Sequence, residues 1–91
     1  MVSIIILTQN RLDFLKRCVE SILTHTRTEF EFVFVLQASS NETVEYVNGI
    51  DHDKVIYKFE ENVGVTPGRN KGIELSKGEY LIFFDDDAFV S

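Results

Sequence analysis

The chain predicts an α/β fold: three layers, with a parallel sheet of about four strands in the order 3-2-1-4 and helices on both faces. Three observations carry this expectation. Apolar runs that read as buried strands, among them Ile4-Ile5-Ile6-Leu7 and Tyr80-Leu81-Ile82-Phe83-Phe84, alternate with stretches of helical spacing. The connections are short, and a β-α-β alternation of this kind implies parallel strands joined by right-handed crossovers. The last apolar run leads straight into Asp85-Asp86-Asp87, and ligands of open parallel sheets bind just outside the carboxyl ends of the strands.

In chain order, Val2 to Leu7 is the first strand. Asn10 can cap the following helix, with Asp13 favouring its positive end. Leu12, Leu15, Val19, Ile22 and Leu23 then recur at helical spacing, with Cys18 beside the stripe. Phe30 to Leu36 is the second strand. Ser39-Ser40-Asn41-Glu42 reads as a capping box opening a short helix that Gly49 ends. Lys54 to Phe59 is the third strand. Its alternation, Val55, Tyr57 and Phe59 against Ile56 and Lys58, suits a place nearer the sheet edge than the others. Thr66 is placed to cap the third helix with Pro67 at its first position, and Gly78 to stop it. The fourth strand reads as buried on both faces. The strand order puts a topological switch between the first and fourth strands, bringing Thr8, Gln9 and Asn10 beside the aspartates.

Bulk properties narrow the function. The 91 residues make one domain or part of one, and 44% hydrophobic with 26% charged residues is ordinary for a globular protein. The net charge of −6 argues against a nucleic-acid backbone as partner. The longest apolar runs are far too short to span a bilayer, and no signal-peptide pattern opens the chain. With one cysteine, Cys18, no internal disulfide can form, so a cytoplasmic location is expected. The chain stops four residues after Asp87, which reads as the front half of a larger protein or an isolated module.

The acidic triplet is the main candidate for chemistry. Acidic residues in a row are most often a solvated turn. At the end of an apolar strand they instead suggest a cation, because adjacent carboxylates repel and a hard ion such as Mg²⁺ takes oxygen ligands and bridges them to phosphates. Alternation sets Asp85 and Asp87 to one side and Asp86 to the other. The third helix, with Arg69 and Lys71, offers free N–H groups and positive charge to an anion, unless these are plain capping and a solvated basic face. Its glycines match neither the dinucleotide fingerprint nor a phosphate loop. Cys18 reads as packing, His25 and His52 as surface residues, and no serine sits in a nucleophile elbow.

The segment Val2-Ser3-Ile4-Ile5-Ile6-Leu7-Thr8-Gln9-Asn10-Arg11 resembles the "VSVIIPTYNR" opening of family 2 glycosyltransferases of the GT-A fold. Asn62-Val63-Gly64 through Arg69-Asn70-Lys71-Gly72, then Gly78-Glu79-Tyr80 through Asp87, is similar to that family's "N-x-G…ARN-x-G…A-x-G-E-Y-i-x-F-l-D-D-D". The likeness runs in register over essentially the whole chain. It implies the Rossmann-like donor-binding half of a GT-A domain over residues 1–91, cut before the acceptor-binding half. The implied partners are a nucleotide-diphosphate sugar and an acceptor hydroxyl on a glycan, lipid or protein. Thr8, Gln9 and Asn10 would line the base and ribose pocket. Asp85 and Asp87 would hold Mg²⁺ or Mn²⁺ against the pyrophosphate, with Arg69 nearby and Asp86 toward the sugar or solvent. The general base comes from the family's C-terminal half, so the isolated chain is expected to be a poor catalyst.

Three departures fall in the implied base pocket. The family has Asp-Asp/Asn-Gly-Ser after the second strand; this chain has Leu36-Gln37-Ala38-Ser39. Leucine cannot accept the hydrogen bond that the first Asp makes to the base, which leaves Gln37 as the substitute. Leu7 replaces the usual proline and Gln9 an aromatic. These changes keep open a second reading, a non-catalytic module for nucleotide binding or protein interaction that can form a homo-oligomer. A phosphotransferase would carry its key aspartate on the first strand, where this chain has Leu7-Thr8.

Overall fold

The computed structural model describes residues 1–9 and 12–85, the last by its backbone alone. The elements are β1 (Val2–Thr8), α1 (Leu12–His25), β2 (Phe30–Gln37), α2 (Asn41–Asn48), β3 (Lys54–Phe59), α3 (Val65–Leu75) and β4 (Tyr80–Asp85). The strands form one parallel sheet in the order β3-β2-β1-β4, as the alternating pattern predicts.

The two-residue period of a strand explains why β1 and β2 are apolar throughout. Ile4 and Ile6 join Phe32, Phe34 and Leu36 in a core closed by Leu15, Cys18, Val19 and Ile22 of α1 and Val47 of α2. Ile5, Leu7, Val33 and Val35 point the other way, where Leu75 of α3, Phe59 and Phe83 cover them. Helices therefore lie on both faces. Burying each large side chain such as Phe32 or Phe34 contributes about 1.5–3 kcal/mol.

One charged residue interrupts this pattern. Glu31 in β2 is 4% exposed. Its Oε2 accepts from Ser3 Oγ at 2.6 Å and from the Lys77 backbone N–H at 2.7 Å. Ser3 Oγ in turn accepts from the Gly78 N–H at 2.8 Å. A buried carboxylate is tolerated when its oxygens are hydrogen-bonded in this way. The group fastens the α3–β4 connection beneath the amino ends of β1 and β2.

The structure corrects several boundaries. The α3 helix begins at Val65, with Gly64 rather than Thr66 in the capping position. Pro67 is then its third residue, still within the first turn, where a backbone N–H has no intrahelical partner to lose. The helix ends at Leu75, and the N–H of Ser76 bonds to Gly72 O and Ile73 O, so Gly78 is not its stop. At α2 the cap is Ser40, whose Oγ accepts from Thr43 N at 3.4 Å, so the box is not Ser39 with Glu42. Leu23 is exposed, and Cys18 takes the place on the buried stripe of α1.

The fourth strand differs most. Among the described residues β4 is a sheet edge, like β3. Tyr80, Leu81 and Ile82 are exposed at 67%, 37% and 43%, not buried on both faces. Among the described residues β4 pairs with β1 alone.

Lys16 Nζ lies 5.5 Å from the ring centre of Tyr46 on α2. Burial first, then the charges of Glu20 and Cys18, push the Tyr46 phenol above its ordinary value. A raised pKa means that the folded chain holds the proton more tightly. The resulting stability is present in full below the unfolded value of about 10 and is lost as pH rises through the higher folded value. Tyr46→Phe is expected to flatten the decline of the thermal midpoint in this alkaline window, read by circular dichroism.

Candidate functional site

The register brings three strand ends to one edge. Thr8 closes β1 opposite Leu36, and Gln37 closes β2 one residue further on. Asp85 closes β4 opposite Leu7. The end of β1 therefore lies between the ends of β2 and β4, as the switch-point argument requires. Thr8 is 2% exposed, and Gln9 stands exposed beyond it. Asn10, Asp86 and Asp87 lie outside the described residues, as does the side chain of Asp85. Among the described residues no three His, Cys, Asp or Glu side chains gather as a metal site.

Leu36 is fully buried in the α1/α2 core. The position that would contact a base is thus a packing position. Gln37 is also buried, at 5% exposure, on the opposite face. Its Oε1 accepts from the N–H groups of Val63 and Gly64 at 3.0 and 3.1 Å, and its Nε2 donates to Gly64 O at 2.9 Å. The amide predicted to meet substrate is therefore engaged with the turn before α3.

That turn has its own chemistry. Asn62 Oδ1 accepts from the Gly64 N–H at 3.0 Å. Gly64 has φ of 91°, a conformation open to glycine and strained for other residues. The spacing of Asn62 and Gly64 is therefore explained by backbone geometry, a role the sequence pattern alone did not assign.

The two cations of α3 diverge. The Arg69 guanidinium lies 5.3 Å from the ring centre of Phe83, two residues before Asp85 on β4. Lys71 Nζ lies 4.6 Å from the Tyr57 ring centre on β3, and 3.1 Å from Glu74 Oε2. Arg69 is thus on the side of the acidic strand end, while Lys71 is held at the far edge by an aromatic face and a neighbouring acid.

Ala38, just after β2, has φ of 50°, in the left-handed region. A side chain there costs about 1 kcal/mol. Ala38→Gly is expected to stabilise the chain by no more than about 0.5 kcal/mol, because the greater freedom of glycine in the unfolded state offsets most of the relieved strain. The urea midpoint measures this. Ser39 Oγ is the buried side-chain oxygen without a hydrogen-bond partner among the described residues.

Parallel strands in the order β3-β2-β1-β4, with helices on both faces, define a Rossmann-like α/β sheet. The family model "Glycosyl transferase family 2" matches residues 3–91, and the chain belongs to that family. It is 33% identical over 89 residues to the uncharacterized glycosyltransferase YibD of Escherichia coli strain K12, covering 93% of this chain and 25% of that protein. It is 30% identical over 92 residues to the glycosyltransferase GlyA of Streptococcus pneumoniae, covering 98% of this chain and 13% of that protein. The chain thus spans a quarter or less of these two relatives. Among solved structures, S. aureus TarS superposes with a TM-score of 0.87 at 25% identity, over 97% of this chain and 17% of that one. The mannosyltransferase PcManGT from Pyrobaculum calidifontis, determined with GDP-Man and Mn²⁺, superposes at 0.85 with 22% identity, over 97% of this chain and 28% of that one. The second likeness speaks for the fold.

Proposed function

We propose that the chain is the donor-binding part of a glycosyltransferase that moves a sugar from a nucleotide diphosphate to an acceptor hydroxyl on a glycan, lipid or protein. The supporting observation is the meeting of the ends of β1 and β4, Leu7 opposite Asp85, in a chain of this family. The donor enters at this edge, with Thr8, Gln9 and Asn10 along base and ribose. Asp85 and Asp87 would hold Mg²⁺ or Mn²⁺, with Asp86 toward the sugar or solvent. An all-oxygen donor set of neighbouring carboxylates suits a hard cation. A cation held there would supply Lewis-acid stabilisation of the charge that develops on a departing diphosphate. The free N–H groups at the start of α3 and the Arg69 guanidinium add positive potential on the same side. The buried Cys18 thiol fits a reducing cytoplasm.

Calorimetry with UDP, GDP and TDP sugars in the presence of Mn²⁺ tests the reading. No heat with any of them, where a full-length relative binds, defeats it. Asp87→Ala is expected to abolish Mn²⁺ binding, at least tenfold in affinity by analogy with losses at metal sites, while the circular dichroism spectrum stays unchanged. An unaltered Mn²⁺ isotherm in this variant places the cation elsewhere.

The burial of Leu36 favours the second reading, a non-catalytic module. That reading gains if the chain forms a stable dimer by size exclusion and binds no metal.

A further inference from the structure

We infer that Gln37 is a positioning residue. It fastens the Val63–Gly64 turn to the end of β2, sets where α3 begins, and does not contact the donor's base. The functional half of this inference rests on the donor-binding reading above.

The hydrogen bonds argue first. A side-chain amide offers two acceptor lone pairs and two N–H donors. Both acceptor sites of Gln37 are taken by the Val63 and Gly64 N–H groups, and one donor by Gly64 O. The partners also fix the orientation of the amide. A flipped amide would set N–H against two N–H groups and oxygen against a carbonyl. Base recognition through the Gln37 oxygen would require releasing a buried turn.

The second argument is steric. A Cβ placed on Gly68 would stand 2.5 Å from Gln37 Nε2 and 3.3 Å from Leu7 Cδ2. The amide nitrogen therefore lies against the first turn of α3. Although Nε2 ends a flexible side chain, it cannot swing away without breaking its bond to Gly64 O. Gln37 on β2 and Gly68 on α3 therefore meet with no room for a Cβ between them. Gln37 and Gly68 are one matched pair.

The third argument is placement. Gly64 is the capping residue of α3, and Arg69 follows five positions later. A turn released from β2 would shift the helix start, and with it the N–H groups and guanidinium that face the diphosphate.

The experiment has two arms. A double-mutant cycle of Gln37→Asn and Gly68→Ala, with urea denaturation and amide exchange, tests the pair. Each single change is expected to lower the folded-to-unfolded ratio about fivefold or more, the size of one lost hydrogen bond. The double variant should recover part of the loss, since contacting residues are not additive. Exchange at the Val63 amide should speed up about tenfold in Gln37→Asn, whereas the Gly64 N–H keeps its bond to Asn62 Oδ1. Additive losses, or unchanged exchange at the Val63 amide, overturn the clamp. In the second arm, Gln37→Glu keeps the acceptors but sets an oxygen against Gly64 O. The affinities for UDP, GDP and TDP sugars with Mn²⁺ should fall together, by about fivefold or more, with their order unchanged. The double variant, which restores the matched sizes, should bind more tightly than either single one. A changed order of preference shows Gln37 touching the base, and unchanged affinity shows a clamp without bearing on the site; either overturns the inference. If the wild-type chain binds none of the three, the donor-binding reading falls, and the first arm decides the clamp by itself.

Discussion

Gly78→Ala is expected to give the largest loss of stability of any single methyl group added to this chain, roughly 3 kcal/mol or more. A Cβ there would stand 2.6 Å from Ser3 Oγ, 2.7 Å from Ser3 N and 2.8 Å from Met1 O. Two of these three atoms are backbone in β1 and its leader, and backbone cannot rotate out of the way. Relief by shifting the α3–β4 connection would break the Gly78 N–H bond to Ser3 Oγ, at 2.8 Å, and the Glu79 N–H bond to Met1 O, at 3.0 Å. It would also pull Lys77 N–H from Glu31 and leave a buried carboxylate short of a donor. Against a total stability of about 5–15 kcal/mol, this is a large fraction. Urea unfolding followed by circular dichroism measures it. A midpoint equal to the wild-type value would show that the connection is free to move aside.

Gly72→Ala comes second, at roughly 2 kcal/mol net. In an exposed helix interior this substitution would stabilise by nearly 1 kcal/mol, because alanine loses less backbone freedom. Here the new Cβ would lie 2.5 Å from Ile5 Cγ2. Ile5 is fully buried and β-branched, so its χ1 has little freedom to give. The helix must lift from the sheet or Ile5 must leave its rotamer. Combining Gly72→Ala with Ile5→Ala removes the obstacle, so the pair should cost less than the sum of its parts. Additivity would place the strain of Gly72→Ala somewhere other than Ile5.

The sequence made the sheet legible because its signal is redundant. Four strand patterns, one helical stripe, two helices marked by capping residues and short links all point to one topology, and the observed order agrees. What escaped was set by single backbone or long-range contacts. The start of α3 depends on a φ of 91° at Gly64, which no periodicity encodes. Gly78 reads as a helix stop by composition, yet its contact is with Ser3, 75 residues away. Glu31 sits inside an apolar run with no local sign of its partners. The exposure of Tyr80 and Ile82 goes with the place of β4 at the sheet edge among the described residues, which its own composition does not encode. At the candidate site, the meeting of the β1 and β4 ends was legible from the strand order. The engagement of Gln37 was not, because its partners lie 26 and 27 residues further on.

The latch of Glu31, Ser3 and the 77–78 backbone stands at the opposite pole of the sheet from the strand ends that carry the aspartates. Cohesion and recognition are thereby kept at separate addresses. Under the proposed function, variation in the loops at the donor edge can proceed without loosening what keeps the strands in register, and damage at the latch lowers stability without altering a side chain at that edge.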